Sequence, residues 1–215
     1  ISFELARRNL WFNSGLLYWM LADCWPAASG WALIDYYGLP KASYYSFKRC
    51  AKAVVGSIDR ENGYYTAYIT NEGLTEQTLQ VSIKKLNYKT GTLTPCVEQS
   101  MTVAAQSVAR IALDCELREN EIVICDLQNE NIQDRCFYKE GKLELVKTDC
   151  LCVTEKTNDS ITVEAKEYVH AVVLEGNGVF SDSYFSLLPG QCRTISFIPT
   201  QGKKTEITCV CYTIA

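Results

Sequence analysis

Residues that could bind a sugar are concentrated between Gly15 and Lys41. Trp19 lies near the end of an apolar run, and Asp23 and Trp25 follow it within six residues. Aromatic rings can cover the apolar face of a sugar ring, and carboxylates can bind its hydroxyls. The alternative is ordinary packing, with Trp19 in a core and Trp25 anchoring a loop, and the residue types alone favour that alternative.

The elements that would position these side chains form one strand–loop–helix unit. The six apolar residues Leu16–Leu21 follow a turn and predict a strand buried on both faces of a parallel sheet. Pro40 predicts a helix over about 41–52, and residues 1–9 predict the end of a preceding helix. In an α/β barrel, ligands bind at the carboxyl ends of the strands, which is where Trp19 falls.

The rest of the chain alternates apolar and polar residues in short runs separated by turn signals such as Asn62-Gly63. This pattern predicts two immunoglobulin-like antiparallel β-sandwiches, at residues 54–140 and 141–215. The fold class is therefore mainly β, with residues 1–53 as the last βα unit of a barrel. The predicted strands are Tyr64–Thr70, Leu79–Leu86, Val108–Leu113, Glu121–Leu127, Lys142–Thr148, Ser160–Ala165, Val169–Leu174, Arg193–Pro199 and Thr205–Ile214.

Two long motifs resemble one known family. The run Tyr18–Pro26, followed by Ile34–Ala42 and Tyr44-Tyr45, is similar to the end of the catalytic barrel in β-mannosidases of glycoside hydrolase family 2. The segment Val179–Gln191 is similar to the F-x-D-N-Y-F-x-L-L-P-G-E segment in the last immunoglobulin-like domain of that family. The motifs occur in the family's order and extend the resemblance over nearly the whole chain.

The resemblance implies a retaining exo-hydrolase that removes terminal β-mannosyl residues with two glutamates, and it implies no cofactor. The first 52 residues hold only three carboxylates, Glu4, Asp23 and Asp35, and none matches a catalytic glutamate of the family. We therefore expect a C-terminal region that is inactive by itself. The alternative function is a stand-alone carbohydrate-binding or adhesion protein, against which the predicted burial of Leu16–Leu21 argues.

The residues that carry over from the family are those at the edge of its sugar site. Trp19 matches the aromatic residue that lines the pocket for the terminal sugar, and Asp23 and Trp25 match the loop beside it. Ala22 departs from the family, which usually has Asn there, so one amide ligand is lost.

The composition of the chain argues against several other partners and sites. A net charge of −4 argues against a nucleic-acid partner, and no apolar stretch is long enough for a membrane span. Eleven cysteines, mostly in apolar runs, predict free thiols and a cytoplasmic location, although the pairs Cys150/Cys152 and Cys209/Cys211 leave a four-thiolate zinc site as an alternative. His170, the only histidine, is expected to be structural.

The other strands and helices of a barrel are missing from this chain, so we expect one of three arrangements for residues 1–53. These residues are either disordered, packed on the sandwiches, or buried in a homodimer contact.

Overall fold

The fold is described by a computed structural model that covers residues 2–27, 29–200 and 206–215. Its contacts divide the chain into two compact units, each built from two separate stretches. Unit 1 comprises Ile1–Leu17 and Phe47–Lys142, and unit 2 comprises Tyr18–Ser46 and Leu143–Ala215. The described residues contain two helices, α1 (Ser2–Arg8) and α2 (Ala42–Cys50), and the remaining elements are strands.

Unit 1 holds seven antiparallel strands in two sheets. Their bounds are β1 (Val54–Glu61), β2 (Tyr64–Asn71), β3 (Gln77–Asn87), β4 (Leu93–Val103), β5 (Ser107–Leu113), β6 (Glu121–Gln128) and β7 (Gln133–Tyr138). The sheet orders are β1-β2-β5 and β4-β3-β6-β7. Side chains from both sheets, such as Ile69 and Ile83, share one core. The predicted turn Asn62-Gly63 joins β1 to β2 with a positive φ at both residues, as a tight hairpin requires.

Unit 2 holds a second two-sheet sandwich. Its strands are β8 (Leu145–Thr148), β9 (Leu151–Lys156), β10 (Ser160–Ala165), β11 (Val169–Gly176), β12 (Gly178–Phe180), β13 (Phe185–Leu187), β14 (Cys192–Pro199) and β15 (Ile207–Ile214). The sheet orders are β12-β14-β10-β9 and β13-β11-β15-β8, and all pairings are antiparallel. The prediction of a mainly β, immunoglobulin-like architecture is confirmed. Thr205 of the last predicted strand lies outside the described residues.

The predicted strand over Leu16–Leu21 is not observed in this chain. These residues form no strand, and Leu17 is 100% exposed, Trp19 78% and Leu21 65%. A strand buried on both faces needs a hydrogen-bonded strand on each side and helices over both faces. No described strand pairs with this run, so its side chains face solvent, and a terminal barrel unit is not seen.

The first helix packs against the sandwich of unit 1. Arg8 is only 6% exposed, and its Nη1 donates to Asp59 Oδ2 at 2.7 Å. The same guanidinium lies over the Tyr68 ring, 5.0 Å from its centroid, and Arg7 pairs with Glu72 at 2.9 Å. Of the three predicted fates of the N-terminal residues, packing on a sandwich is the one observed for this helix.

The second helix begins close to its predicted position and contributes to the core of unit 2. Tyr45 is 3% exposed and lies among core residues of β10 to β15, with its ring 6.1 Å from that of Tyr184. Burial raises the pKa of the Tyr45 hydroxyl to about 12, against a smaller lowering effect of the backbone of Phe180, which donates a hydrogen bond to the tyrosine oxygen. Tyr45 is therefore a core residue of the C-terminal sandwich. No helix in the described parts of the chain is long and apolar enough to cross a membrane.

Candidate functional site

The segment between Tyr18 and Lys41 is folded by backbone hydrogen bonds that join three short stretches. We call these stretches the loop base: Leu21–Asp23, Leu33-Ile34 and Pro40-Lys41. Ile34 N–H donates to Leu21 O at 2.9 Å, Asp23 N–H to Ile34 O at 3.0 Å, and Lys41 N–H to Leu33 O at 2.9 Å. Leu33 is 4% exposed, so the base has a buried side chain although it contains no regular strand.

An ion pair closes the loop base. Lys41 Nζ donates to Asp23 Oδ2, and the Asp23 side chain is only 8% exposed while that of Lys41 is 23% exposed. Gly30 lies directly against this pair, because a Cβ built there would stand 3.2 Å from Asp23 Oδ1. The Asp23 carboxylate thus faces the interior of its own loop.

The two tryptophans of the candidate site face outward instead. Trp19 is 78% exposed and Trp25 is 68% exposed. Trp31, at the far end of the same loop, is 70% exposed, and its carbonyl accepts a 2.6 Å hydrogen bond from Tyr18 Oη. The three predicted residues therefore lie in one segment but in two different environments: the indoles of Trp19 and Trp25 face solvent, and the carboxylate of Asp23 is paired with Lys41.

Ala22 lies in the loop base as well. Its backbone forms an isolated parallel bridge to Ile34, and its side chain is exposed. An asparagine would fit this exposed position, so the departure from the family pattern removes an amide without altering the backbone pairing.

The predicted site residues do not include a tyrosine pair, Tyr36 and Tyr37, that lines a cavity in the same segment. A cavity of about 270 Å³ is lined by Pro26, Ala27, Asp35, Tyr36 and Tyr37. The two tyrosine rings meet edge to face, 5.4 Å apart, and both are more than half exposed. Asp35 Oδ1 accepts the N–H groups of Tyr37 and Leu39, so this carboxylate shapes the turn. The Tyr-Tyr doublet was the available signal, although it was named from the sequence only within the family motif Ile34–Ala42.

The second family motif, Val179–Gln191, has a structural role. Asp182 accepts a 2.8 Å hydrogen bond from Arg193, and Tyr184 has a φ of 57°, which marks a turn. Leu187 and Leu188 are 3% and 9% exposed. The motif therefore forms a turn and packs the sandwich.

The histidine and cysteines show no catalytic arrangement among the described residues. His170 is 6% exposed, burial lowers its pKa to about 4, and its Nδ1 lies 3.0 Å from Tyr168 Oη. All eleven cysteines are free thiols, as expected. In the part of the chain that the structure describes, no group of three or more His, Cys, Asp or Glu residues could hold a metal ion. The two C-x-C pairs thus do not assemble the alternative zinc site.

Comparisons with known proteins bear on the class. A family model for the immunoglobulin-fold domain Ig_mannosidase matches residues 146–209. The β-mannosidase B of Thermothelomyces thermophilus is 27% identical over 91% of this chain and 27% of its own length. The β-mannosidase B of Emericella nidulans is 30% identical over 36% of this chain and 11% of its own length.

A solved structure shares the fold. The β-D-mannosidase of Dictyoglomus thermophilum superimposes with a TM-score of 0.76 and 23% identity, over 96% of this chain and 27% of that one. The chain therefore spans about a quarter or less of the length of these proteins.

The fold and the motifs together define a class. The chain has the immunoglobulin-like β-sandwich fold of glycosidase-associated domains. More particularly, the resemblance to the C-terminal part of glycoside hydrolase family 2 β-mannosidase-like proteins is confirmed.

Proposed function

We propose that this chain is the C-terminal region of a retaining exo-β-mannosidase that hydrolyses terminal β-D-mannosyl residues. The observation that carries the proposal is the alignment with a β-mannosidase B over 91% of the chain. Within that enzyme, residues 1–53 belong to the end of the catalytic barrel, and residues 54–140 and 141–215 are accessory sandwiches. The free thiols support a cytoplasmic location.

In this proposal the chain supplies one wall of the sugar site. Trp19 and Trp25 offer exposed indole faces that suit the apolar face of a mannosyl ring. Asp23 belongs to the same wall. The described part of residues 1–53 supplies no pair of catalytic glutamates, because Glu4 lies in α1 and the carboxylates of Asp23 and Asp35 hold their own loops. The isolated chain is therefore inactive, since retaining hydrolysis needs two carboxyl groups about 5 Å apart.

The test compares the isolated chain with the full-length gene product on an aryl β-mannoside. We expect turnover by the full-length protein only, and a loss of at least about tenfold in kcat/KM in its Trp19→Ala variant, since a wall of the sugar site also acts in the transition state. Trp31→Ala is the matched control. Hydrolysis by the isolated chain would refute the proposed inactivity, and a loss below about threefold in Trp19→Ala would make Trp19 structural.

A second candidate function gains support from the same exposed side chains. A carbohydrate-binding module presents aromatic faces to solvent, and Trp19, Trp25 and Trp31 are all exposed. The predicted burial of Leu16–Leu21, which argued against such a module, is not observed. Mannose binding by the isolated chain, followed by tryptophan fluorescence, would favour this candidate if the full-length product has no hydrolase activity.

Self-association is a separate proposal. The exposed apolar side chains between Leu16 and Trp25 suit a homodimer contact. Sedimentation velocity of the isolated chain measures it directly. The absence of a nucleic-acid partner stays a prediction from net charge.

A further inference from the structure

We propose that Asp23 and Lys41 are positioning residues, which hold the Trp25 side chain in place and do not bind the sugar themselves. The inference rests on the proposed sugar site and assigns its members different roles. The observation behind it is the contrast between a carboxylate that is 8% exposed and a neighbouring indole that is 68% exposed.

The geometry of the carboxylate supports a role inside the loop. One oxygen of Asp23 accepts from Lys41 Nζ, and the other faces Gly30. A sugar ligand needs a carboxylate that is accessible to hydroxyl groups, whereas this one is enclosed by its own loop. A paired, enclosed carboxylate is costly to leave without its partner, so the ion pair fixes the distance between the two ends of the loop.

The loop that carries Trp25 is short. Residues 24–27 leave the loop base after Asp23 and carry Trp25, and residues 29–32 lead back to it before Leu33. The ion pair and the backbone hydrogen bonds of the loop base hold both ends of this segment. Side-chain rotamers and loop conformations that are not held in this way interconvert on fast timescales. Removing the ion pair should therefore release Trp25 before it affects the sandwich.

The loop base is in turn fixed to the C-terminal sandwich. Lys41 directly precedes α2, and Tyr45 of that helix is buried in the sandwich core beside Tyr184. Ser43 Oγ also donates to Ala32 O at 3.3 Å, which ties the helix start to the returning end of the loop. The sandwich thus supports Lys41, Lys41 holds Asp23, and Asp23 sets the start of the Trp25 segment.

The first test is structural and uses the 215-residue chain. Fluorotryptophan is incorporated, the four resonances are assigned by single Trp→Phe variants, and amide hydrogen exchange is followed in parallel. In Lys41→Met we expect the Trp25 resonance to shift or broaden, and protection of the Asp23 and Ile34 amides to fall about tenfold. Lys41→Arg should restore both. The matched control is Lys84→Met, which removes an ion pair to Glu98 in unit 1 and should change neither.

The interpretation uses an internal reference. Amides of β11 report global unfolding in the same sample, so a loss confined to the loop is distinguished from a failure to fold. If Lys41→Met does not fold, Asp23→Asn serves as the second variant, with the same expected changes. An unchanged Trp25 resonance together with unchanged Asp23 and Ile34 protection in a folded variant would overturn the inference.

The second test separates positioning from direct sugar binding in the full-length gene product. If both residues only position Trp25, Asp23→Asn and Lys41→Met lower kcat/KM on an aryl β-mannoside equally, the double variant loses no more than either single variant, and Lys41→Arg recovers. A loss at least tenfold larger in Asp23→Asn than in Lys41→Met would show that Asp23 binds the sugar, and would overturn the inference. If the product has no such activity, the proposed function fails, and the structural test still decides the role of the ion pair.

Discussion

Two largely apolar runs of six residues have opposite fates in this molecule. Leu16–Leu21 is continuous in apolar residues, forms no strand, and exposes Leu17 completely. Val169–Leu174 forms most of β11, and all six of its residues are buried. The difference lies in the neighbours, because β11 is paired by β13 on one side and by β15 on the other.

This comparison teaches that an apolar run specifies burial only when other strands complete its hydrogen bonds. Backbone N–H and C=O groups must be paired to leave water, and an isolated run cannot supply its own partners. β11 has partners within unit 2. No described strand pairs with Leu16–Leu21, and the carbonyls of Met20 and Leu21 accept hydrogen bonds from Leu33 and Ile34 instead.

The largest expected effect is on the free energy of unfolding, from a substitution in the buried run of β11. Val172 is fully buried and is paired with Phe185 and Cys211 in the flanking strands. Val172→Asp places an unpaired charge in the core and should cost at least about 4 kcal/mol, enough to unfold unit 2. Val153→Asp, at a position 49% exposed in β9, is the matched control. Urea unfolding measures both, and similar midpoints would contradict the assignment of β11 to the core.

The next effect tests how the exposed segment is attached to the buried sandwich. Tyr45→Ala removes a ring that is 3% exposed and should lower the free energy of unfolding of unit 2 by about 3 kcal/mol. Tyr45→Phe keeps the ring and should cost only about 1 kcal/mol through the lost hydroxyl contact. Tyr37→Ala, at a 67% exposed position, should be nearly neutral. Thermal unfolding of the three variants measures these differences. A Tyr45→Ala variant as stable as the unmodified chain would show that α2 does not pack in the core.

The pH dependence of stability tests the burial of His170 in β11. Burial lowers the pKa of His170 to about 4, below its ordinary value of 6.5. The unfolded chain therefore binds a proton at His170 that the folded chain does not bind, and stability falls as pH decreases from about 6.5 to about 4. The contribution is at most about 3 kcal/mol. In His170→Gln the decrease over this range should be smaller by that amount, and parallel pH profiles of the two proteins would contradict a buried neutral imidazole.

The smallest effect concerns the exposed run. Leu17→Asp changes a fully exposed side chain and should alter the free energy of unfolding by less than about 0.5 kcal/mol. It should also reduce self-association if the apolar run forms a contact between copies. Chemical denaturation and sedimentation velocity give the two readouts. A destabilisation of several kcal/mol would mean that Leu17 is buried in solution.

Much of the sandwich architecture was predictable from the sequence. Strands with alternating burial, such as β3 and β10, followed from period-two patterns, and the Asn62-Gly63 hairpin followed from the φ preferences of its residues. The strands that were missed include β4 and β7. Most side chains of β4 are at least partly exposed and it contains Pro95, while β7 is a short edge strand, so neither shows a clean alternation.

The residues of the candidate site stay a prediction, and their environments could not be predicted from the sequence. Residue types and the family resemblance pointed to Trp19, Asp23 and Trp25, but nothing local to Asp23 indicates that its partner is Lys41, eighteen residues away. The pairing depends on the loop base, which exists only when three separate stretches are brought together. Tyr45 is similar, because its helix is predictable while its burial requires a sandwich core formed more than 100 residues later.

The sequence by itself determined the local structure of this protein: the hairpin turn, the alternating strands, the second helix and the family resemblance. Each follows from φ preferences, side-chain periodicity or a motif that is contiguous in the chain. Tertiary structure alone decided that β11 is buried and Leu16–Leu21 is exposed, and that Asp23 is paired while Trp25 is free to face solvent. Burial and ion pairing depend on partners distant in sequence, and a run of residues carries no record of whether those partners are present.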